Sequence, residues 1–172
     1  MAQTVEHKLF YQVIPDASVS VKWANPDEEK ADLALLLLQD WRKGRIYLFA
    51  PQIWEYEVAQ GILKAYLAGT VSKRVAERRL RRVLALPLPR YPNPPAEAIL
   101  KQYAWRYLDE GLPSRQKFYL YDALYVGWAE DSDAILVTED RKILQNSRVK
   151  KRGVQVLDLE GYRKFHDERL SG

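Results

Sequence analysis

The chain has 172 residues, with 27 Lys and Arg against 23 Asp and Glu, a net charge of +4, two His and no Cys. That length suits one domain with a sizeable core, and the mild basic excess is compatible with a polyanionic partner without requiring one. Lacking Cys, the chain has no thiolate nucleophile, zinc ribbon or redox pair, and His7 and His166 lie outside any motif, so acid–base or metal chemistry must rest on Asp and Glu. Sites built only from carboxylates favour hard cations such as Mg²⁺ or Mn²⁺. The opening MAQTVEHKLF has no apolar signal core, and the longest aliphatic run, LALLLL at 33–38, falls far short of a membrane span. A cytoplasmic protein with no membrane partner is expected.

In chain order, KLFYQVI (8–14) is apolar and rich in strand formers, and predicts a first strand ending at Pro15-Asp16. Asp16 then sits at a strand tip, a position equally explained by an ordinary helix start, with the Ser18 hydroxyl available to cap the SVSVKW turn. Asn25-Pro26-Asp27-Glu28 has the pattern of a helix start, followed by a stripe of Leu33, Leu36, Leu37 and Trp41, with Gly44 closing the helix. RIYLFA (45–50) is the second strand. The next helix, 53–67, carries Val58, Ile62, Ala65 and Tyr66 on its core stripe. Glu57 lies beside that stripe, with room left by Gly61, while Glu55 points to solvent.

KRVAERRLRR (73–82) is the most basic segment. Ala76, Leu80, Val83 and Leu84 form its apolar side; Arg74, Arg78, Arg81 and Arg82 share another, either a solvated face or a ridge of phosphate contacts. The proline-rich stretch 87–95 reads as an extended connector, not a domain boundary, and precedes a helix over 95–110 that ends at Gly111. The YAWRY aromatics at 103–107 suit either a core or a dimer interface. A helix over 118–129 is apolar, aromatic or small apart from Asp122, and AILVT (134–138) reads as an interior strand ending beside Glu139-Asp140. VQVLDL (154–159) is the last strand, and the charged tail 161–172 a short helix or frayed end. Strands alternating with helices imply a parallel sheet with helices on both faces, an α/β class.

Asp16, Glu57, Asp122 and Asp140 come from four parts of the chain, and each is expected near one sheet edge, where open α/β sheets place ligands. Four crowded carboxylates repel and raise one another's pKa, whereas a divalent cation keeps them ionised. One or two such ions acidify a bound water and steady the charge on a phosphodiester, without any histidine.

On PDASVSVKW with Asp16, PQIWEYEVAQGIL with Glu57, FYLYDALYVGWAE with Asp122, ILVTED with Asp140 and the final VQVLDL, the sequence resembles PIN-domain ribonucleases of the VapC toxin group. The resemblance spans about 9–160 of a single PIN-like domain over 1–172. It implies a three-layer α/β/α sandwich with a mainly parallel sheet and an acidic quartet binding Mg²⁺ or Mn²⁺. It also implies metal-dependent endoribonuclease activity, homodimers and a cognate antitoxin. Ser18 and Thr138 match hydroxyls that support the acids, and Lys22 matches a family lysine, here a candidate RNA contact together with Arg74, Arg78, Arg81 and Arg82. Three features depart from the pattern: Pro15 before the first acid, the long proline-rich connector, and Arg141-Lys142-Ile143 where some relatives carry a further acid. A PIN-fold module that binds RNA or protein without cutting is the alternative.

Overall fold

The computed structural model describes residues 10–108 and 119–170. Lys8 and Leu9 of the expected first strand, the helix end expected at Gly111, and Phe118 lie outside the described residues. The strands are β1 (Tyr11–Pro15), β2 (Ile46–Leu48), β3 (Ala50–Pro51), β4 (Arg90–Tyr91), β5 (Ile135–Val137) and β6 (Val156–Leu157). The helices are α1 (Ala17–Ser20), α2 (Ala31–Arg42), α3 (Trp54–Leu67), α4 (Lys73–Leu84), α5 (Ala96–Ile99), α6 (Trp105–Tyr107), α7 (Leu120–Asp131), α8 (Arg141–Leu144), α9 (Ser147–Lys151) and α10 (Leu159–Arg169).

Four strands form a parallel sheet in the order β2-β1-β5-β6, and β3 pairs with β4 in a second, two-stranded parallel sheet. Successive strand residues face opposite sides. Tyr11 packs edge-on against Phe165 of α10, with ring centroids 4.8 Å apart, while the next residue, Gln12, lines a cleft with Trp128 of α7. Helices α10 and α7 therefore cover opposite faces, and the sheet is flanked by helices as expected. Covered on both sides, the central strands are apolar where they are enclosed: Val13, Ile14, Leu136 and Val137 are fully buried.

Several boundaries differ from the sequence reading. Helix α2 begins at Ala31, not at Pro26, because Asn25 Nδ2 donates to the Glu28 side chain at 2.9 Å and Lys30 adopts a left-handed φ of 61°. The strand expected over 45–50 breaks at Phe49, where the chain leaves β1 and joins β4. The proline-rich segment is thus more than a connector, since Arg90-Tyr91 pairs in register with Ala50-Pro51. The helix expected over 95–110 is interrupted by a π-type turn at Leu100–Ala104. The last strand is only Val156–Leu157, since Asp158 accepts from Gly161 N to cap α10. Far from fraying, α10 buries Leu159 and Tyr162, and Leu170 just after it is buried as well. On α3, Val58 and Ile62 are buried as expected, but Tyr66 is exposed, and Glu55 pairs with Arg90 at 2.9 Å.

Gly127 shows how closely α7 is gripped. A Cβ there would lie 2.2 Å from Tyr103 Cδ1. Tyr103 is buried and its hydroxyl is held by Asp131 at 2.8 Å, so Gly127→Ala is expected to cost about 1–3 kcal/mol, the usual range for overpacking. Urea denaturation of the two proteins checks this.

Candidate active site

The chain leaves β1 towards β2 on one side and leaves β5 towards β6 on the other. The crevice between the carboxyl ends of β1 and β5 is therefore the topological switch point, where open α/β sheets bind ligands. Asp16 follows β1 directly, and its backbone N–H donates to Val137 O at 2.9 Å. Pro15 does not disturb this. Backbone N–H groups alternate sides along a strand, so the donor that Pro15 lacks would face β2, whose pairing with β1 ends at Val13–Leu48.

Two hydroxyls hold the Asp16 carboxylate. Oδ2 accepts from Thr138 Oγ1 at 2.6 Å and from Ser18 Oγ at 2.8 Å. Both hydroxyls also accept: Asp140 N donates to Thr138 Oγ1 at 3.0 Å, and Glu139 N donates to Ser18 Oγ at 3.1 Å. The β1 and β5 ends are thereby tied in one network, which fixes Asp16 relative to Asp140. Asp140 caps α8, accepting from Lys142 N at 2.8 Å. From α3, Trp54 Nε1 donates to Ser20 Oγ at 2.8 Å, and Ser20 Oγ donates to Asp16 O at 3.0 Å, so the helix carrying Glu57 is bonded to the same turn.

Asp122 lies in the first turn of α7 and accepts from Tyr119 N at 2.9 Å, a helix-start role that orients its carboxylate. Glu57 lies in the first turn of α3. The space beside Gly61 is taken by Val21, whose Cγ1 would be 2.8 Å from an added Cβ, so that glycine clears Val21 and not Glu57. Glu57 Oε2 and the Tyr125 hydroxyl are both enclosed, and neither has a hydrogen-bond partner among the described residues.

The four acids sense one another. Burial raises the Asp16 carboxyl, opposed by the Thr138 and Ser18 hydroxyls and reinforced by Asp140. Burial likewise pushes Glu57 up to about 7, eased by the nearby Tyr125 hydroxyl and aggravated by the charges of Asp16 and Asp122. Asp122 rises to about 6, again chiefly by burial, with Asp140 and Asp16 adding repulsion against the Tyr119 N–H and Lys142. Tyr125 is driven well above its ordinary value by burial and by Glu57, Asp16 and Asp122. One locus thus gathers three carboxylates whose charged forms are disfavoured, with the charge of Asp140 felt by two of them.

Whether this set suits a cation follows from its donors. All are oxygens, as hard divalent ions require, and the enclosed Glu57 Oε2 is an unsatisfied acceptor facing the other acids' field. Among the described residues, though, no three acidic or histidine side chains stand close enough to ligate one ion. The cage expected from the four acids is not preformed among the described residues.

The raised acids make stability depend on pH. Between their ordinary values and the raised ones, the folded protein binds more protons than the unfolded chain, so stability falls as pH rises from about 4 to about 7. In EDTA, the loss for Glu57 alone is expected to be on the order of 3 kcal/mol. Thermal melts across that window should show the fall, and Glu57→Gln should flatten it.

Other predicted contacts separate clearly. Arg74, Arg78, Arg81 and Arg82 lie exposed on α4. Lys22 does not join them: it is buried, and its ammonium donates to Glu28 Oε1 and Glu29 O, both at 2.9 Å. These two bonds tie it to the 25–30 turn.

Two acids outside the expected quartet have roles that the sequence reading did not give them. Glu139 accepts from Lys30 at 2.9 Å and from Leu159 N at 2.9 Å, which clamps the α2 and α10 starts to the β5 tip. Asp40 is wholly buried, accepting from Tyr162 OH at 2.8 Å, lying 2.8 Å from His166 Nδ1 and pairing with Arg45 at 3.2 Å. The signal for Asp40 was its place three residues after Leu37 and seven after Leu33, on the buried stripe.

No protein-family model matches the sequence, and no curated protein matches it. Solved structures do. PAE2754 from Pyrobaculum aerophilum superimposes with a TM-score of 0.62 at 22% identity, covering 92% of this chain and 96% of that one. The VapBC2 structure from Rickettsia felis, bound to a DNA fragment from its promoter, gives 0.56 at 16% identity, covering 86% and 98%. VapC20 from Mycobacterium tuberculosis, a sarcin–ricin loop cleaving toxin, gives 0.54 at 12% identity, covering 78% and 95%. Among the described residues, no helix is long and apolar enough to cross a membrane.

Proposed function

We propose that this chain, which has the VapC-type PIN fold, is a metal-dependent endoribonuclease and the toxin half of a toxin–antitoxin pair. The observation that carries the reading is the meeting of Asp16, Glu57, Asp122 and Asp140 at the switch point, each with its charged form disfavoured or its charge felt by another. Such a cluster weakens a fold unless something cationic uses it. Asp16, Asp122 and Asp140 would hold Mg²⁺ or Mn²⁺, with Glu57 completing the shell or orienting the attacking water. When bound, the ion supplies an acidified water and neutralises charge on the phosphodiester.

The chain's own residues do the rest. Ser18 and Thr138 hold Asp16 in one orientation through two hydrogen bonds, which limits the reorganisation needed at the reacting centre. Burial and the neighbouring acids raise the Glu57 carboxyl, so it holds a proton more readily than an ordinary glutamate, and its Oε atoms would orient a water. The arginines of α4 offer phosphate contacts that add affinity without reading sequence. A cognate antitoxin and a homodimer are the partners this reading carries.

The purified chain incubated with end-labelled RNA should cut in Mg²⁺ or Mn²⁺ and stop cutting in EDTA. RNA binding without cleavage in either ion, across several RNAs, would instead favour a silent PIN-fold binding module. The absence of three ligating acids among the described residues makes that comparison necessary.

A further inference from the structure

At the opposite end of the sheet from the acids lies a cleft of about 370 Å³, lined by Gln12, Tyr47, Phe49, Tyr91, Tyr103, Trp128, Asp131 and Ser132. Gln12 precedes Asp16 by four residues, roughly 13 Å along a strand, so the cleft and the acids are distinct places. Five of its walls are aromatic. Tyr47 and Phe49 stack at 5.8 Å, Phe49 meets Tyr91 edge-on at 5.8 Å, and Tyr91 meets Trp128 at 6.3 Å. The rings are not simply core. Tyr47 is 38% exposed and Tyr91 45%, and their hydroxyls face each other at 2.9 Å.

Beside the cleft is a hollow of about 480 Å³ formed by Arg106, Glu130, Arg148, Lys151 and Arg152. Its one acid is already neutralised. Glu130 accepts from Arg106 at 2.9 Å, from Arg152 at 2.8 Å and from Tyr107. Although burial alone would raise it, hydrogen bonds from Arg152, Tyr107 and Arg106 bring the Glu130 carboxyl down to about 2. Arg148 and Lys151 are exposed and pair with no carboxylate among the described residues. The two hollows join at Arg106, whose guanidinium lies 5.7 Å above the Tyr103 ring and 3.5 Å from Asp131.

From this juxtaposition we propose that the aromatic cleft and the adjoining cationic hollow form one binding surface for single-stranded RNA, remote from the acids. The surface combines the two parts such recognition needs: exposed rings on which bases stack, and cations spaced along a backbone path. Asp131 at the rim offers an acceptor for a base N–H. A cationic ligand fits less well, because Arg106 already occupies the Tyr103 face and the neighbouring hollow is positive. The proposal rests on RNA as the substrate and adds that the strand is unpaired where it crosses this surface, since a duplex keeps its base faces stacked inside.

The test is fluorescence anisotropy with the full chain in EDTA, using a labelled 12-nucleotide single-stranded RNA and the same RNA annealed to its complement. Tyr91→Ala and Tyr47→Ala should each weaken single-strand binding about 5- to 100-fold, following the effect of removing one stacking ring, and leave duplex binding unchanged. Tyr91→Phe should bind as wild type, which separates loss of the ring from loss of the fold. Reversing Arg148 and Lys151 to Glu should weaken both RNAs and reduce the salt dependence. Single-strand binding unchanged in both Ala variants overturns the proposal, as does a shift from dimer to monomer on Tyr91→Ala in sedimentation, which assigns the cleft to a second copy of the chain. Nuclease activity is scored separately in Mn²⁺. Ring-dependent binding without cleavage keeps this surface and removes the nuclease reading; cleavage without ring-dependent binding does the reverse.

Discussion

Asp122→Asn is expected to lower RNA cleavage by roughly 10²- to 10⁴-fold, the range for removing a positioned acid–base group, while leaving the fold intact. The amide preserves what the carboxylate does structurally, because its oxygen still accepts from Tyr119 N at the start of α7. It removes only the charge. That charge is unfavourable in the protein alone: burial, with Asp140 and Asp16 nearby, raises the Asp122 carboxyl to about 6. At pH 7.5 the variant should therefore melt no lower than wild type in EDTA, and higher if anything. The pairing of lost activity with undiminished stability separates a catalytic acid from a helix-start residue. Wild-type cleavage rates in the purified variant would remove Asp122 from the site.

Asp40→Ala has the largest expected effect on stability, a loss of about 3 kcal/mol. Asp40 is wholly enclosed and anchors three groups, the Tyr162 hydroxyl, His166 Nδ1 and the Arg45 guanidinium. Truncation leaves the buried Tyr162 hydroxyl without its acceptor and adds a cavity between α2 and α10. Asp40→Asn keeps an acceptor for Tyr162 and should lose less. Urea denaturation gives the difference. Limited proteolysis should cut first near α10 in the Ala variant, since Asp40 is the polar tie between that helix and α2. Nuclease activity per folded molecule should be unchanged in Asp40→Asn, because Asp40 belongs to none of the strand-tip elements.

Three of the candidate acids stand out in the sequence because each breaks an otherwise apolar pattern or ends one. Asp122 interrupts a run of aromatic and small residues, and Asp16 and Asp140 follow runs of strand formers. Asp40 sits on an equally apolar stripe but was hidden, because the partners that make sense of it, Tyr162 and His166, lie more than a hundred residues away. Lys22 differs, because the partners that hold its ammonium are only six and seven residues away. In the sequence it is a free cation two turns after an acid; in the structure Glu28 and the Glu29 carbonyl consume it.

The boundaries failed where a competing local hydrogen bond or a remote strand partner overrode the pattern. Asn25-Pro26-Asp27-Glu28 carries every local mark of a helix start, yet the Asn25 amide goes to Glu28 and the helix waits until Ala31. The proline-rich stretch found a strand partner that no local rule names, because parallel pairing joins residues 40 positions apart.

By itself, the sequence determined the class of fold and the main alternation of strands and helices, since periodicity and apolar runs are local properties. Only the tertiary structure decided how near the candidate acids come, which hydroxyls hold Asp16, and that five aromatic rings meet beside four cations. Distances between remote side chains depend on how the sheet is ordered and how α7 packs on it, and no window of the chain contains that information.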